Sequence, residues 1–216
     1  KARTIVITGV AKLHGTSYTI MADRDEVVTF AVLSALTDGK IYIKNVEMEN
    51  IKAFLSEFKA AGGIWEEKKQ GVRFYMKNGI KPRDITTSAH PGFMTDWQGP
   101  WAIFMTQAKG VSTIHETVYE SRFGYYEELA KMGAELSLFS PKVAGPEKFY
   151  NFNYSKEGET QQGLRIKGPT SLHNGVLSIS DLRAGATVVI AALIAKGESV
   201  VYGAEILERG YESFDA

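Results

Sequence analysis

Residues 23–39, DRDEVVTFAVLSALTDG, decide the fold, because the same layout returns as DWQGPWAIFMTQAKG at residues 96–110 and as DLRAGATVVIAALIAKG at residues 181–197. Each stretch opens on an aspartate, runs through apolar residues with few polar breaks, and closes on a glycine. A run without a polar face predicts a helix buried nearly all round. Asp23, Asp96 and Asp181 stand where an N-cap would offer a side-chain oxygen to free backbone N–H groups. Gly39, Gly110 and Gly197 stand where a left-handed C-cap would end each helix.

Outward from these helices the pattern continues in step. Residues 40–46, 111–117 and 198–202 are β-branched or alternate apolar with polar, and predict strands. Amphipathic helices follow, with Ile51, Phe54, Leu55 and Phe58 on one face in the first copy and Tyr125, Leu129 and Met132 in the second. Gly62 and Gly133 each lie 23 positions after the preceding marker glycine and lead into another strand. The unit is therefore β-α-β-α-β, and three copies predict an α/β (α+β) lobe with helices gathered inside and sheets outside on an approximately threefold plan. Repeat 1 covers about residues 1–80, repeat 2 about 81–170, and a partial repeat 3 about 171–216, all in one lobe. Counting 23 positions on from Gly197 passes Ala216, so the third copy is expected to be unfinished. A strand at residues 4–8 and the lack of an initiating Met predict a fragment at both ends. Residues 140–167, rich in Gly and Pro among polar and aromatic residues, read as an extended loop containing a hairpin.

Composition bounds the function. A chain of 216 residues, 44% hydrophobic and 23% charged, can bury one sizeable core or two small ones. Twenty-five basic residues balance twenty-five acidic ones, so no global field recruits nucleic acid or an anionic membrane, and any anion site must be local. The absence of cysteine removes disulfides, thiolate metal sites and a cysteine nucleophile from these residues. His14, His90, His115 and His173 have no metal-ligand spacing, and neither a P-loop nor a Rossmann glycine pattern occurs. No apolar run approaches the ~18 residues of a membrane span.

Positions that differ between copies are free to serve a site. Twelve residues after the first glycine, Ile51 in copy one is replaced by Arg122 and Arg209; two residues after the leading aspartate, Asp25 and Gln98 are replaced by Arg183. On the threefold plan these three arginines converge near helix starts, where they are unfavourable for the helix dipole and suited to a bound anion. The other reading pairs each with a nearby carboxylate such as Glu120, Asp181 or Glu208, or with solvent. Asp96, which follows a Pro91-Gly92 turn, is either a general base for a hydroxyl or merely the cap of its helix.

His90-Pro-Gly-Phe-Met-Thr-Asp-Trp-Gln98, Glu116-Thr-Val-Tyr-Glu-Ser-Arg-Phe123, Asp181-Leu-Arg-Ala-Gly-Ala186 and Glu208-Arg-Gly-Tyr-Glu212 occur in this order. They resemble the signatures of the UDP-N-acetylglucosamine 1-carboxyvinyltransferase family, as does Asp23-Arg-Asp-Glu26. The resemblance implies transfer of the enolpyruvyl group of phosphoenolpyruvate to the 3-hydroxyl of UDP-N-acetylglucosamine, in cytoplasmic peptidoglycan precursor synthesis, without metal or organic cofactor. It implies a two-lobe protein, each lobe an inside-out α/β barrel, with this chain as one lobe and a complementary N-terminal lobe as its partner. By the same resemblance Asp96 is the proposed base and Arg122, Arg183 and Arg209 line the phosphoenolpyruvate site. Thr95 and Val118 touch the nucleotide sugar, and Asp23 and Glu26 lie near the cleft. The family's general acid, a cysteine on the other lobe, has no counterpart here, which implies that the isolated chain is inactive. Met94, His115 and the long 140–167 segment depart from the family pattern. Within the same fold a 3-phosphoshikimate enolpyruvyl transferase is the nearest alternative, and a stand-alone nucleotide-sugar binding module is the alternative outside enzymology.

Overall fold

The computed structural model describes residues 6–154 and 160–212 of the chain. Residues 6–22 carry no regular secondary structure, and the rest of the strand expected at residues 4–8 lies outside the described residues. Helix α1, Arg24–Leu36, starts where Asp23 Oδ1 accepts the N–H groups of Asp25 at 2.7 Å and Glu26 at 3.4 Å. It ends differently from expectation, because Asp38 (φ 52°) takes the left-handed turn and Gly39 does not. Aspartate tolerates that conformation through local hydrogen bonding, which is why a glycine marker misplaces the stop by one residue.

Strand β1, Lys40–Lys44, leads through a 3-10 turn at Met48–Ile51 into helix α2, Lys52–Ala60, whose Phe54, Leu55 and Phe58 are buried as the amphipathic pattern requires. Gly62, at φ 104°, turns the chain into β2, Gly63–Lys68, and the two residues Lys69-Gln70 return it as β3, Gly71–Met76. The five-element unit omits β3, which is the middle strand of an antiparallel sheet ordered β1-β3-β2.

The second stretch comprises β4 (Ile85–Thr86), a 3-10 turn (Thr95–Trp97), helix α3 (Gln98–Met105), β5 (Gly110–His115), α4 (Tyr126–Lys131), β6 (Glu135–Phe139), the short helix α5 (Pro146–Phe149) and β7 (Gly163–Gly168). Its sheet runs β4-β5-β7-β6, with β4 parallel to β5 and β7 antiparallel between β5 and β6. The hairpin expected within residues 140–167 is not found among the described residues there: β7 pairs instead with β6, which ends before the segment, and residues 163–167 are strand rather than loop. Leu164 and Ile166 are fully buried while Arg165 and Lys167 face out. The third stretch pairs β8 (Val176–Ser178) in parallel with β9 (Val200–Tyr202) across helix α6 (Leu182–Ile194), and a 3-10 helix follows at Ala204–Arg209.

Helices α1, α3 and α6 pack against one another, and every residue of α3 is buried. Beside them α2 contributes an aromatic layer: Phe54 stacks on Phe58 at 5.3 Å, Phe58 on Phe104 at 5.7 Å, and Trp101 meets Phe93 and Phe104 edge-on at 5.4 Å. Such rings supply a large share of the apolar burial. The layer also carries Trp97, whose polar edge reaches the site.

Candidate active site

Because the three apolar helices pack together with their starts at one end, the unshared residues at those starts meet. Arg183, second residue of α6, donates Nη2–H to Asp25 Oδ2 at 2.8 Å and Nε–H to Asp96 Oδ1 at 3.0 Å. Arg122 reaches the same point from the connection between β5 and α4, donating Nη2–H to Asp96 Oδ1 at 2.9 Å and Nη1–H to Thr95 Oγ1 at 3.0 Å. Its guanidinium carbon stands 4.7 Å from the centre of the exposed Tyr119 ring. Trp97 closes the other side by donating its indole N–H to Asp25 Oδ1 at 2.9 Å.

The two readings of Asp96 separate here. Asp23 and Asp181 do cap α1 and α6 with their side chains, whereas the turn that opens α3 has no side-chain cap. Asp96 instead gives one oxygen, Oδ1, to two guanidinium groups. Among the described residues Oδ2 takes no hydrogen bond, and the side chain stays 22% exposed, so that oxygen keeps its acceptor capacity. The arginines' partners are Asp96 and Asp25, not Glu120, Asp181 or Glu208. Burial pushes the Asp25 carboxyl above its usual range, with the Arg183 charge pulling it back. Burial likewise works against the Arg183 charge, but Asp25 and Asp96 together outweigh it and raise its pKa.

Glu116, fully buried just beyond β5, holds the floor of this cluster with no ion pair among the described residues. Oε1 accepts Thr87 Oγ1–H at 2.9 Å and the backbone N–H groups of Val118 and Tyr119 at 2.7 and 3.1 Å; Oε2 accepts Thr95 Oγ1–H at 2.8 Å and Gln98 Nε2–H at 2.9 Å. The sequence signal for it was available. Ser112, Ile114 and Glu116 alternate along one buried face, and a carboxylate on such a face requires partners. Asp25 was visible only as the counterpart of Arg183.

The other expected residues are less concentrated. Thr95 is buried between Glu116 and Arg122, and Val118 is half-buried with its N–H already given to Glu116. Asp23 is exposed at its capping position, and Glu26 Oε1 accepts the Glu212 N–H at 3.2 Å. Arg209 ends a 3-10 helix rather than starting a helix; it is exposed, and among the described residues it makes no hydrogen bond or ion pair. Two of the three arginines therefore converge. The cavity bounded by Thr95, Gln98, Arg122, Asp181 and Arg183 measures about 20 Å³, enough for roughly one water. Guanidinium groups at helix starts can bind an anion, and an adjacent carboxylate oxygen can accept a proton. Among the described residues no group of three or more His, Asp or Glu could hold a metal ion, and no helix is long and apolar enough to cross a membrane.

A family profile described as EPSP synthase (3-phosphoshikimate 1-carboxyvinyltransferase) matches residues 1–216. The chain is 35% identical over 213 residues to a UDP-N-acetylglucosamine 1-carboxyvinyltransferase of Protochlamydia amoebophila, an alignment that covers 98% of this chain and 45% of that protein. It is 36% identical over 214 residues to the protein of that name from Chlamydia muridarum, covering 97% of this chain and 47% of the other. The chain thus spans about half the length of the curated relatives it matches. Among solved structures, the enolpyruvyl transferase NikO from Streptomyces tendae superposes with a TM-score of 0.75 at 24% identity, covering 90% of this chain and 41% of that one. An EPSP synthase from Acinetobacter baumannii gives 0.58 at 16% identity, with 90% and 44% covered. At these identities the structures speak to the mixed α/β fold.

Proposed function

This chain belongs to the EPSP synthase (3-phosphoshikimate 1-carboxyvinyltransferase) family, and on that premise we propose that it is one lobe of a UDP-N-acetylglucosamine 1-carboxyvinyltransferase. The lobe is an inside-out α/β barrel of three repeats, the third incomplete, and works in the cytoplasm with a complementary N-terminal lobe in peptidoglycan precursor synthesis. Its substrates are phosphoenolpyruvate and UDP-N-acetylglucosamine, with no cofactor or metal. The names of relatives about 35% identical over nearly the whole chain favour the nucleotide sugar over 3-phosphoshikimate.

One observation carries the reading: Arg122 and Arg183 share Asp96 Oδ1 and leave Oδ2 open. In the proposed reaction Oδ2 accepts the proton of the sugar 3-hydroxyl as that oxygen bonds to C2 of phosphoenolpyruvate. C3 takes a proton from the other lobe, and the resulting ketal expels phosphate while losing a proton from C3 to restore the alkene. Arg122 and Arg183 hold the anionic groups, and the forked guanidinium geometry suits carboxylate and phosphate alike. The small cavity means that phosphoenolpyruvate enters by parting these arginines from Asp96, and the lost ion pairs are replaced by pairs to the ligand. Thr95 lines the sugar site beside them. Val118 contacts the sugar through its carbonyl or side chain, since its N–H is taken. Arg209, Asp23 and Glu26 border the cleft.

The test is substrate choice by the full-length gene product, given phosphoenolpyruvate with either UDP-N-acetylglucosamine or 3-phosphoshikimate and followed by product mass. The expected product is enolpyruvyl-UDP-N-acetylglucosamine alone. Product from the shikimate ester would move the assignment to the other activity, and product from neither would favour a nucleotide-sugar binding module.

A further inference from the structure

We propose that Glu116 is a positioning residue for phosphoenolpyruvate: it fixes the proton of the Thr95 hydroxyl and the orientation of the Gln98 amide, and through both it sets the direction of the Arg122 guanidinium. The proposal rests on the phosphoenolpyruvate reading of the site. A guanidinium only donates, so Thr95 Oγ1, 3.0 Å from Arg122 Nη1, must be the acceptor there. The single hydroxyl hydrogen of Thr95 is then left for Glu116 Oε2 at 2.8 Å.

Gln98 is fixed in the same way. Its Oε1 accepts the Tyr125 hydroxyl at 2.6 Å, so its Nε2 faces Glu116 Oε2 at 2.9 Å and the Arg122 carbonyl at 2.7 Å. Glu116 thereby touches both ends of Arg122, the guanidinium through Thr95 and the backbone through Gln98. Its other oxygen clasps the Val118 and Tyr119 N–H groups, in the turn that leads to Arg122 and carries the ring over which the guanidinium lies. All five partners are donors, and a carboxylate offers acceptors on both oxygens. A carboxamide cannot do so, because its NH2 would face either the Gln98 NH2 or the two backbone N–H groups.

Glu116→Gln is therefore the informative substitution, made in the full-length gene product. The KM for phosphoenolpyruvate should rise about tenfold to a hundredfold, the order of one lost hydrogen bond to a charged group, while kcat changes less than about threefold, as for lost binding common to ground and transition state. Arg122→Lys raises KM by itself, and adding Glu116→Gln to it should raise KM no further, because the guanidinium that Glu116 directs is already gone. A crystal structure of the variant should show Arg122 Nη1 withdrawn from Thr95. Equal KM increments in both backgrounds, or an Arg122 unmoved in the variant structure, would overturn the proposal. If Glu116→Gln does not fold, Thr95→Val cuts the same relay and must give the same KM rise and the same non-additivity with Arg122→Lys. Should the parent protein transfer no enolpyruvyl group, the functional reading fails on its own. The positioning claim is then judged by the variant structure and by the phosphoenolpyruvate dissociation constant.

Discussion

Arg183 divides its guanidinium between Asp25 and Asp96, and the cost falls on Asp25. Burial holds the Asp25 carboxyl above its ordinary 3.8 despite the opposing Arg183 charge. A carboxyl whose folded pKa is raised contributes stability that is present below 3.8 and lost as pH rises through the folded value, so ionised Asp25 works against the fold at neutral pH. Its place is explained by what it holds rather than by net stabilisation. Two tryptophans test how much the Asp25 contact carries. Trp97 and Trp101 are both essentially buried, but Trp97 donates its N–H to Asp25, whereas the Trp101 N–H has no partner among the described residues. Trp97→Phe loses a bond to a charged acceptor, while Trp101→Phe removes a donor that was already unpaired. At neutral pH the loss of unfolding free energy in urea should be about 2 kcal/mol larger for Trp97→Phe. Equal losses would mean that the Asp25 contact contributes nothing.

At the scale of elements, the connection between β6 and β7 differs most from its counterpart between β2 and β3, which needs only Lys69-Gln70. The described residues of the β6–β7 connection fold back beyond the end of β5: the Asn151 N–H donates to the Thr117 carbonyl at 2.8 Å, and Gln162 Oε1 accepts the Ser121 N–H at 2.8 Å. Phe149 stacks on His115 at 5.3 Å, and the Tyr150 hydroxyl lies 3.0 Å from His115 Nε2. Burial lowers the His115 pKa below its ordinary 6.5. The unfolded chain then binds the proton first, so the stability that His115 contributes is present above 6.5 and lost as pH falls through the lower folded value. Unfolding free energy should drop on acidification across that range, and the drop should shrink in His115→Phe; an unchanged pH slope in the variant would contradict the assignment. The inner helices were legible in the sequence because their runs lack a polar face, although only α3 is buried along its whole length and α6 leaves Leu193 exposed. Strands β3 and β7 were missed because the glycines that bracket them read as loop, although Val72 with Phe74 and Leu164 with Ile166 carry the two-residue period. For the site, position alone suggested that arginines gather at helix starts, and Arg122 and Arg183 do. The pairing of Asp25 with Arg183 and the reach of Glu116 depend on which side chains face each other across separate elements, which spacing along one chain does not encode.

At the scale of the whole molecule, the arginine and aspartate cluster lies where three helix starts meet, and the chain spans about half the length of its curated relatives. In the proposed reaction Asp96 Oδ2 is the base and the Arg122 and Arg183 guanidinium groups neutralise the anionic substrate. Because the proposed reaction takes its proton for the alkene carbon from the other lobe, the 216 residues alone are expected not to turn over. The most direct measurement is phosphate release from phosphoenolpyruvate, with and without UDP-N-acetylglucosamine, by this chain, by the full-length gene product and by its Asp96→Ala variant. The expected result is sugar-dependent release by the full-length product, a loss of about a hundredfold or more in the variant, as removal of a general base entails, and none from the isolated chain. Undiminished release by Asp96→Ala, or turnover by the 216-residue chain alone, would contradict it.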